Sequence, residues 1–505
     1  MSNFVELRRR MTMRRWIAPL IQGIFWIAVP FWTITALADG LAHSLFQQPR
    51  LLSGGDDLGL LALSLGFASF SLTRRKAIAL LVLSASLAID MVPWAFAILM
   101  VVALLYARYH QRHPSGPLTT LGRVVPWHVP IQLDLSDRYM HLHVIGPTGS
   151  GKSSSILMPL IEQDLRAKRA ITLIEPKGDL SYTAYQAALR HHATVIYFDP
   201  HRADCAHYNP LSGPADVAAE GLSWALNQIT EAGHPFYAVT SRVLLMYSVM
   251  AVKETLGEQA DLTHVLDFLR MEAFREDILR QSHDLRVLAY FREQLKQIGA
   301  RTAQEQRQGL LNRLELLLVN PDIRRVLTGS GHFNWDTVLR DEISVICPLS
   351  LARLGESAKV IGTLLWHGLA MATYRRLKAG TVPPYFLYLD EFHQYVTPDL
   401  SDYLALARGY SVGLVLAHQD MGQLSPPLQE ALLANARQRM VLGGIHAHDA
   451  AIFSQLAAPY PLPPTLRYLP RGRAYAQLTK HGRLTRPLLL QLPHIPLSEE
   501  VLPHE

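Results

Sequence analysis

Between Gly146 and Ser153 the chain reads Gly-Pro-Thr-Gly-Ser-Gly-Lys-Ser, which meets the phosphate-loop pattern G-x-x-x-x-G-K-[ST] at every fixed position. No other stretch constrains the fold as strongly, because such a loop works only where a strand runs into it and a helix begins at its lysine. Tyr139 to Ile145 (YMHLHVI) has closely spaced apolar residues with β-branched ones at its end, as a strand should. After Lys152 the sequence SSSILMPLIEQDLRAKRA reads as a helix with a polar first turn and a later face of Ile156, Leu157, Leu160, Ile161 and Leu165. Glycines let the backbone N–H groups curl around an anion, and the helix N-terminus adds partial positive charge. Lys152 is expected to reach the terminal phosphates and Ser153 to hold Mg²⁺. Gly146, Pro147, Thr148, Gly149, Ser150, Gly151, Lys152, Ser153 and Ser154 are thus the expected nucleotide-binding residues, with ATP and Mg²⁺ as the ligands.

Farther down the chain, Tyr385-Phe386-Leu387-Tyr388-Leu389-Asp390-Glu391-Phe392 is a hydrophobic strand ending in two adjacent acids. Asp390 is placed to hold Mg²⁺ through water or through Ser153. Glu391 points the other way from the strand end, where it can orient or deprotonate the water that attacks the γ-phosphate. Joined to a phosphate loop in one chain, the pair implies hydrolysis, since a passive nucleotide binder has no need of Glu391. Ala407-Arg408-Gly409-Tyr410 then precedes the strand Val412 to Ala417, which ends in His418-Gln419. Gln419 is a candidate γ-phosphate sensor between the two loops. Arg408, on the outer side of the sheet, is a candidate arginine finger for a neighbouring subunit. The alternative for each is a solvated or structural polar residue.

Compact β-like runs at Ala170 to Ile174 and Thr194 to Phe198 alternate with helical segments, which indicates a parallel sheet with nucleotide at the carboxyl ends of its strands. From Leu211 to about Leu339 the periodicity turns helical, as in Val243 to Met250 and Leu310 to Leu318, so an all-helical insertion is expected. The sheet resumes at Ile343 to Cys347, Tyr385 to Leu389, Val412 to Ala417 and Met440 to Leu442. A hairpin is expected from Ala474 to Leu478 and Leu484 to Leu490, turning at Lys480-His481-Gly482, with Pro487 restricting its second arm to a sheet edge.

The N-terminus is a separate membrane problem. Arg8, Arg9, Arg10, Arg14 and Arg15 face only Glu6, and Trp16 to Ala38 then runs apolar for long enough to cross a bilayer. Leu58 to Leu72 is a shorter apolar stretch ending in Arg74-Arg75-Lys76, and Ala77 to Tyr106 is apolar again, broken by Asp90 and Pro93. An ATP site must face the cytosol, and the arginine-rich N-terminus lies on the same side, so the number of crossings is even. Four place every basic flank inside and are preferred, with two as the alternative. Residues 108 to 138 are basic and interrupted by prolines, which suits a linker or an irregular lead-in strand. A net charge of +6 permits an anionic partner such as nucleic acid or lipid headgroups. The two cysteines, Cys205 and Cys347, match no metal spacing and suit a reducing cytosol.

At these residues the chain resembles the coupling proteins of conjugative type IV secretion, the TraD and TrwB family within the FtsK-like and HerA-like ring ATPases. The phosphate loop with Pro159, Glu175-Pro176-Lys177-Gly178-Asp179, Phe198-Asp199-Pro200, Tyr208-Asn209-Pro210-Leu211, Leu389-Asp390-Glu391-Phe392, Ala407-Arg408-Gly409-Tyr410, Gln419 and Asn435-Ala436 carry the resemblance. Glu175 stands where the family usually has Asp, and four spans exceed the usual two. The resemblance implies an α/β fold: N-terminal transmembrane helices (1–107), the linker (108–138), a RecA-like P-loop domain (139–212 and 340–505) and an inserted all-α domain (213–339). It further implies a hexameric ring, multi-pass in the bacterial inner membrane with its ATPase domain in the cytosol. Such a ring uses ATP to move single-stranded DNA and its attached relaxase toward type IV secretion channel proteins. Carried over by residue, Lys152 and Ser153 take phosphates and Mg²⁺, Asp390 the metal, Glu391 the water, Arg408 the adjacent subunit's nucleotide, and Gln419 the coupling to movement. The competing reading is an ATP-regulated receptor that recruits protein substrates to a secretion system without pumping DNA.

Overall fold

The computed structural model describes residues 118–498 apart from 228–234, 330–332, 377–381, 398 and 481. These residues belong to one unit, Gly116–Glu505. The three apolar runs expected to span a membrane lie outside the described residues, and among the described residues no helix is long and apolar enough to cross one.

The described residues form thirteen strands: β1 Thr119–Val124, β2 Val129–Leu133, β3 Leu142–Ile145, β4 Ala170–Glu175, β5 Val195–Tyr197, β6 Ser344–Pro348, β7 Tyr385–Asp390, β8 Val412–His418, β9 Gln438–Leu442, β10 Arg473–Gln477, β11 Thr479–Lys480, β12 Arg483–Leu484 and β13 Leu488–Gln491. Eleven of them build one sheet in the order β2-β1-β13-β10-β9-β3-β8-β7-β4-β6-β5, and β11 pairs with β12. From β9 to β5 every pairing is parallel, and β10, β13, β1 and β2 extend the sheet antiparallel. β3, β4, β6, β7, β8 and β9 are buried along their whole length, which is why they read as near-continuous apolar runs.

Strand alternation distributes the core to two layers. Phe386 and Tyr388 of β7 face the helices Met158–Arg166 and Asp179–Arg190, packing with Leu160, Ile161, Leu165 and Ala184. Tyr385, Leu387 and Leu389 face the other way, toward the helix Ser357–Arg375 and the helices that follow β5. Between β5 and β6 all described elements are helical, including Ala215–Leu226, Pro235–Leu256, Leu262–Arg270 and Ala300–Leu318. The Tyr208-Asn209-Pro210-Leu211 motif forms the joint where this helical stretch leaves the sheet. Tyr208 donates to Leu364 O at 3.1 Å, and Asn209 donates to Ala260 O at 2.7 Å while accepting from Leu211 N at 3.0 Å.

A buried polar network ties the helix after the phosphate loop to the acid-bearing strand. Asp164, wholly buried on that helix, accepts from both Nη atoms of Arg138 at 2.9 and 2.8 Å, from Arg169 at 3.1 Å and from the Tyr388 hydroxyl. The Arg138 guanidinium also lies 3.9 Å over the Phe386 ring. Two cations share one carboxylate here, all in the interior.

Three expectations change. β3 begins at Leu142, because Leu135–Arg138 is a short helical turn that runs on through bonds from Met140 N to Asp137 O and His141 N to Arg138 O, and His141 is left-handed at φ 56°. Residues 119–133, expected as a linker or an irregular lead-in strand, form the β1–β2 hairpin of the main sheet, with a register shift between Thr120 and Gly122. The arm after Pro487 is not an edge: β13 starts at Leu488, just past the proline, and pairs with β10 on one side and β1 on the other. Pro487 lies outside the ladder and so costs it no donor.

Candidate active site

The phosphate loop leaves β3 at Gly146 and enters a helix whose first turn, Lys152–Leu157, is wound as a π turn. Gly149 and Gly151 take φ of 79° and 97°, the left-handed region that a side chain resists, so the loop's tight path depends on them. Lys152 curls back inside the loop and donates to Gly146 O at 2.6 Å and Pro147 O at 3.5 Å. Burial pulls its ammonium below the usual lysine range, against the opposing pull of Asp390 and Glu391.

Sheet order brings the other groups to this loop. β8 lies between β3 and β7, so Gln419, just past the end of β8, sits between the loop and the acids at the end of β7. The Ser153 hydroxyl donates to Asp390 Oδ2 at 3.2 Å. Glu391 is itself left-handed at φ 48°, a strained setting for a glutamate that turns its side chain off the strand direction. Its Oε1 accepts from Gln419 Nε2 at 3.0 Å and lies 3.6 Å from Lys152 Nζ. Its Oε2 is buried with no hydrogen-bond partner. Burial and the neighbouring charge of Glu391 push the Asp390 carboxyl up to about 6.

These side chains border a cavity of about 370 Å³ lined by Pro147, Thr148, Gly149, Gly151, Lys152, Ser153 and Ser154 from the loop and by Asp390 and Glu391. Gly146 and Ser150 are not in its lining; a Cβ on Gly146 would meet Ser150 Oγ at 2.8 Å and Leu442 at 3.0 Å, so that position backs the loop. Arg408 is not in the cavity. It is exposed in the turn Ala407–Tyr410 that enters β8, at the opposite end of that strand from Gln419.

The residues fit a triphosphate with a divalent cation. Among the described residues no group of three or more His, Cys, Asp or Glu could hold a metal ion. A cation at Ser153 and Asp390 would draw its other ligands from phosphate oxygens and water, which is how Mg²⁺ is ordinarily held.

Sequence reasoning missed several residues of the cavity. Lys177, in the loop after β4, and Asp179, the first residue of the helix that follows, line it, and the Pro-Lys-Gly-Asp run at a strand end was a signal for them. Behind them Glu175 accepts from the backbone N–H groups of Lys177, Gly178 and Ser181 at 2.8, 2.6 and 3.1 Å, and burial pushes its carboxyl up to about 7. Arg471, His494, Pro496 and Leu497 also line the cavity, and no motif marks them. A further pair lies under the site: His143 of β3 and His418 of β8 stack with Nε2 atoms 2.7 Å apart. His418 Nδ1 donates to Asp420 O at 2.9 Å, so its Nε2 is the acceptor and His143 Nε2 the donor. Burial drives both rings well toward the neutral form, His418 down to about 3.

A phosphate loop on one parallel strand, acids on another and an amide on the strand between them define a P-loop protein with a RecA-like sheet. Residues 120–455 match the family described as Type IV secretory system Conjugative DNA transfer, and the chain belongs to that family. No curated protein sequence matches it. The fold is similar to that of the plasmid coupling protein TrwB in complex with ADP and Mg²⁺, with a TM-score of 0.55 and 16% identity over 75% of this chain and 90% of that one. TrwB in complex with a non-hydrolysable ATP analogue gives the same TM-score of 0.55 at 16% identity, over 76% and 91%. VirB4 of Thermoanaerobacter pseudethanolicus gives a TM-score of 0.50 at 13% identity, over 76% of this chain and 98% of that one.

Proposed function

We propose that this protein is a membrane-anchored coupling ATPase that hydrolyses ATP with Mg²⁺ to pump DNA, with its bound relaxase, into a type IV secretion channel. The observation that carries the proposal is the convergence of Lys152, Ser153, Asp390 and Glu391 on one cavity, with Gln419, outside its lining, bonded to Glu391 from the strand between them. Family membership and the fold shared with TrwB, whose structures hold ADP with Mg²⁺ and an ATP analogue, supply the direction.

Lys152 and the loop N–H groups bind the phosphates and spread charge over them. Ser153 and Asp390 would hold Mg²⁺, which supplies charge neutralisation between the phosphates. Glu391 is the group to accept the proton of a water: Oε1 is bonded to Gln419, and Oε2 makes no hydrogen bond, with His393 Nδ1 3.8 Å away. Gln419 thereby connects the hydrolytic acid to β8, and a shift of either is felt by the other. Arg408 is exposed and remote from its own chain's cavity, which suits a finger reaching a neighbouring subunit in a hexameric ring. Anchoring by the N-terminal apolar runs would place the ring at the inner membrane.

The test is ATP hydrolysis by the full chain in detergent or nanodiscs, with and without single-stranded and duplex DNA, beside Lys152→Ala and Glu391→Gln. DNA-stimulated turnover that disappears in both variants is the expected result. Turnover indifferent to DNA would overturn pumping, and DNA transfer supported by Glu391→Gln would favour the protein-recruiting receptor instead.

A further inference from the structure

Glu391, the acid that takes the water's proton in the proposed hydrolysis, is held through one oxygen only. Gln419 Nε2 donates to its Oε1 at 3.0 Å, and Lys152 Nζ stands 3.6 Å from the same oxygen. Its Oε2 is buried and has no hydrogen-bond partner among the described residues. Two residues on, His393 Nδ1 is in the same condition, and it faces Glu391 Oε2 at 3.8 Å. Buried polar atoms are paired in nearly all folded proteins, so two orphans facing each other mark a contact that the working site makes.

The local backbone puts the ring there. Glu391 is left-handed at φ 48°, and a 3-10 turn, Phe392–Gln394, follows at once, with Gln394 N donating to Glu391 O at 3.1 Å. Phe392 is wholly buried and sets its ring edge-on to that of His418, 5.3 Å between centroids. That anchor fixes the turn and keeps the His393 ring beside the acid. Burial holds the imidazole below its ordinary range, with Lys359 and Lys152 adding to the fall and Glu391 and Asp420 opposing it. A neutral imidazole has one N–H, and a carboxylate oxygen can only accept, so the hydrogen belongs on Nδ1.

We infer that His393 is a positioning residue for hydrolysis: its Nδ1–H holds Glu391 Oε2 while Gln419 holds Oε1, so that the carboxylate is fixed by one donor on each oxygen. The inference rests on the proposed reading of Glu391. Lys152 serves the phosphates once they are bound, so Glu391 loses its nearest cation as negative charge arrives beside it. A neutral donor at Oε2 then steadies the carboxylate without protonating it, and each oxygen keeps a second lone pair for water. The separation of 3.8 Å is about 0.8 Å beyond an ordinary N–H···O bond, and catalytic contacts commonly shorten in the substrate complex.

ATP turnover and isothermal titration with MgADP, on the full chain in nanodiscs, test this with substitutions that differ in which ring nitrogen they replace. His393→Asn sets its amide where Nδ1 stands, His393→Gln reaches the place of Nε2, and His393→Ala has neither. His393→Ala and His393→Gln are expected to lower kcat by about tenfold to a hundredfold, with KM for ATP and ADP affinity within about twofold of wild type. His393→Asn should return kcat to within about threefold of wild type. An equal loss in all three would make the ring a packing element, and recovery by His393→Gln in place of His393→Asn would put the role on Nε2; either overturns the inference. Unchanged turnover in His393→Ala, or a raised KM with kcat intact, overturns it too. If His393→Ala loses ADP binding, the comparison of His393→Asn with His393→Gln decides alone. None of these results touches Glu391, whereas wild-type turnover in Glu391→Gln would remove the acid's role and the reading beneath the inference.

Discussion

Replacing Asp164 by Ala removes the carboxylate that Arg138 and Arg169 share in the interior. Both guanidinium groups are nearly fully buried, with side-chain exposures of 3% and 4%, so neither can turn to water once the acid is gone. Breaking a buried pair in this way typically costs about 3 to 5 kcal/mol, most of it the uncompensated charge. The Tyr388 hydroxyl and Thr119 Oγ1 keep contact with Arg138 but are neutral, so they offset only a small part. For a unit of about 390 residues the unfolding entropy near the midpoint is about 0.8 kcal/mol/K, so the melting temperature should drop by about 4 to 6 °C. Arg166→Ala is the control on the same helix: its partner Glu162 is 3.6 Å away, but Arg166 is 68% exposed, and such a pair contributes about 0.5 kcal/mol at most. Differential scanning calorimetry of the purified chain reads both variants. A shift for Asp164→Ala no larger than that of Arg166→Ala would refute the claim that this network rivets the phosphate-loop helix to β7.

Ser153→Ala and Asp390→Asn should each raise the Mg²⁺ concentration needed for half-maximal ATP turnover by about tenfold or more, read from Mg²⁺ titrations of the rate; an unchanged requirement in both would remove them as cation ligands. His418→Ala should lower turnover about tenfold without weakening ADP binding, because it frees the Asp420 carbonyl and the turn that carries Gln419. His418→Asn, which can still donate to Asp420 O, should recover part of the rate, and an equal loss in both would argue for packing alone. Glu175 carries its proton in the folded state up to about pH 7 against an ordinary value of 4.5. The folded protein then binds the extra proton, so this stability is fully present below about pH 4.5 and is lost as the pH rises through about 7. In EDTA without nucleotide, the advantage of wild type over Glu175→Gln should shrink by up to about 3 kcal/mol between pH 5 and 8 in urea unfolding, and parallel curves would contradict the assignment. Gly413→Ala should destabilise by about 1 to 3 kcal/mol in the same assay, since a Cβ there would meet Phe386 at 2.6 Å and Arg138 O at 3.1 Å; a neutral outcome would mean that β7 and β8 can part at no cost.

The chemistry of the cavity was legible wherever it is local in sequence. A phosphate loop needs its glycines, lysine and serine in consecutive positions, and an apolar run ending in Asp390-Glu391 can only be a strand delivering acids to one edge of a sheet. The buried strands were legible for the same reason, since β4, β7 and β8 are covered on both faces and must be apolar throughout. Tyr139 to His141 misled because their apolar spacing continues that of β3, whereas a left-handed His141 and bonds back to Asp137 and Arg138 keep them in a turn.

Other features depend on which strands become neighbours, and a single chain carries no local mark of that. Asp164 is an ordinary acid on a helix until Arg138, Arg169 and Tyr388 close around it. His143 and His418 meet only because β8 inserts beside β3. Pro487 suggested an edge because a proline cannot donate, but the strand begins one residue later and gains β1 as its second partner. Arg471 and His494 are separated from the phosphate loop by most of the domain, and they reach it because β13, β10, β9 and β3 are consecutive in the sheet. The sequence by itself therefore determined the phosphate-binding half of the site, whose parts are contiguous and whose residue types the chemistry dictates. Only the tertiary structure decided the remainder of the cavity lining, because no residue type is dictated there and its place is set by strand order rather than by spacing.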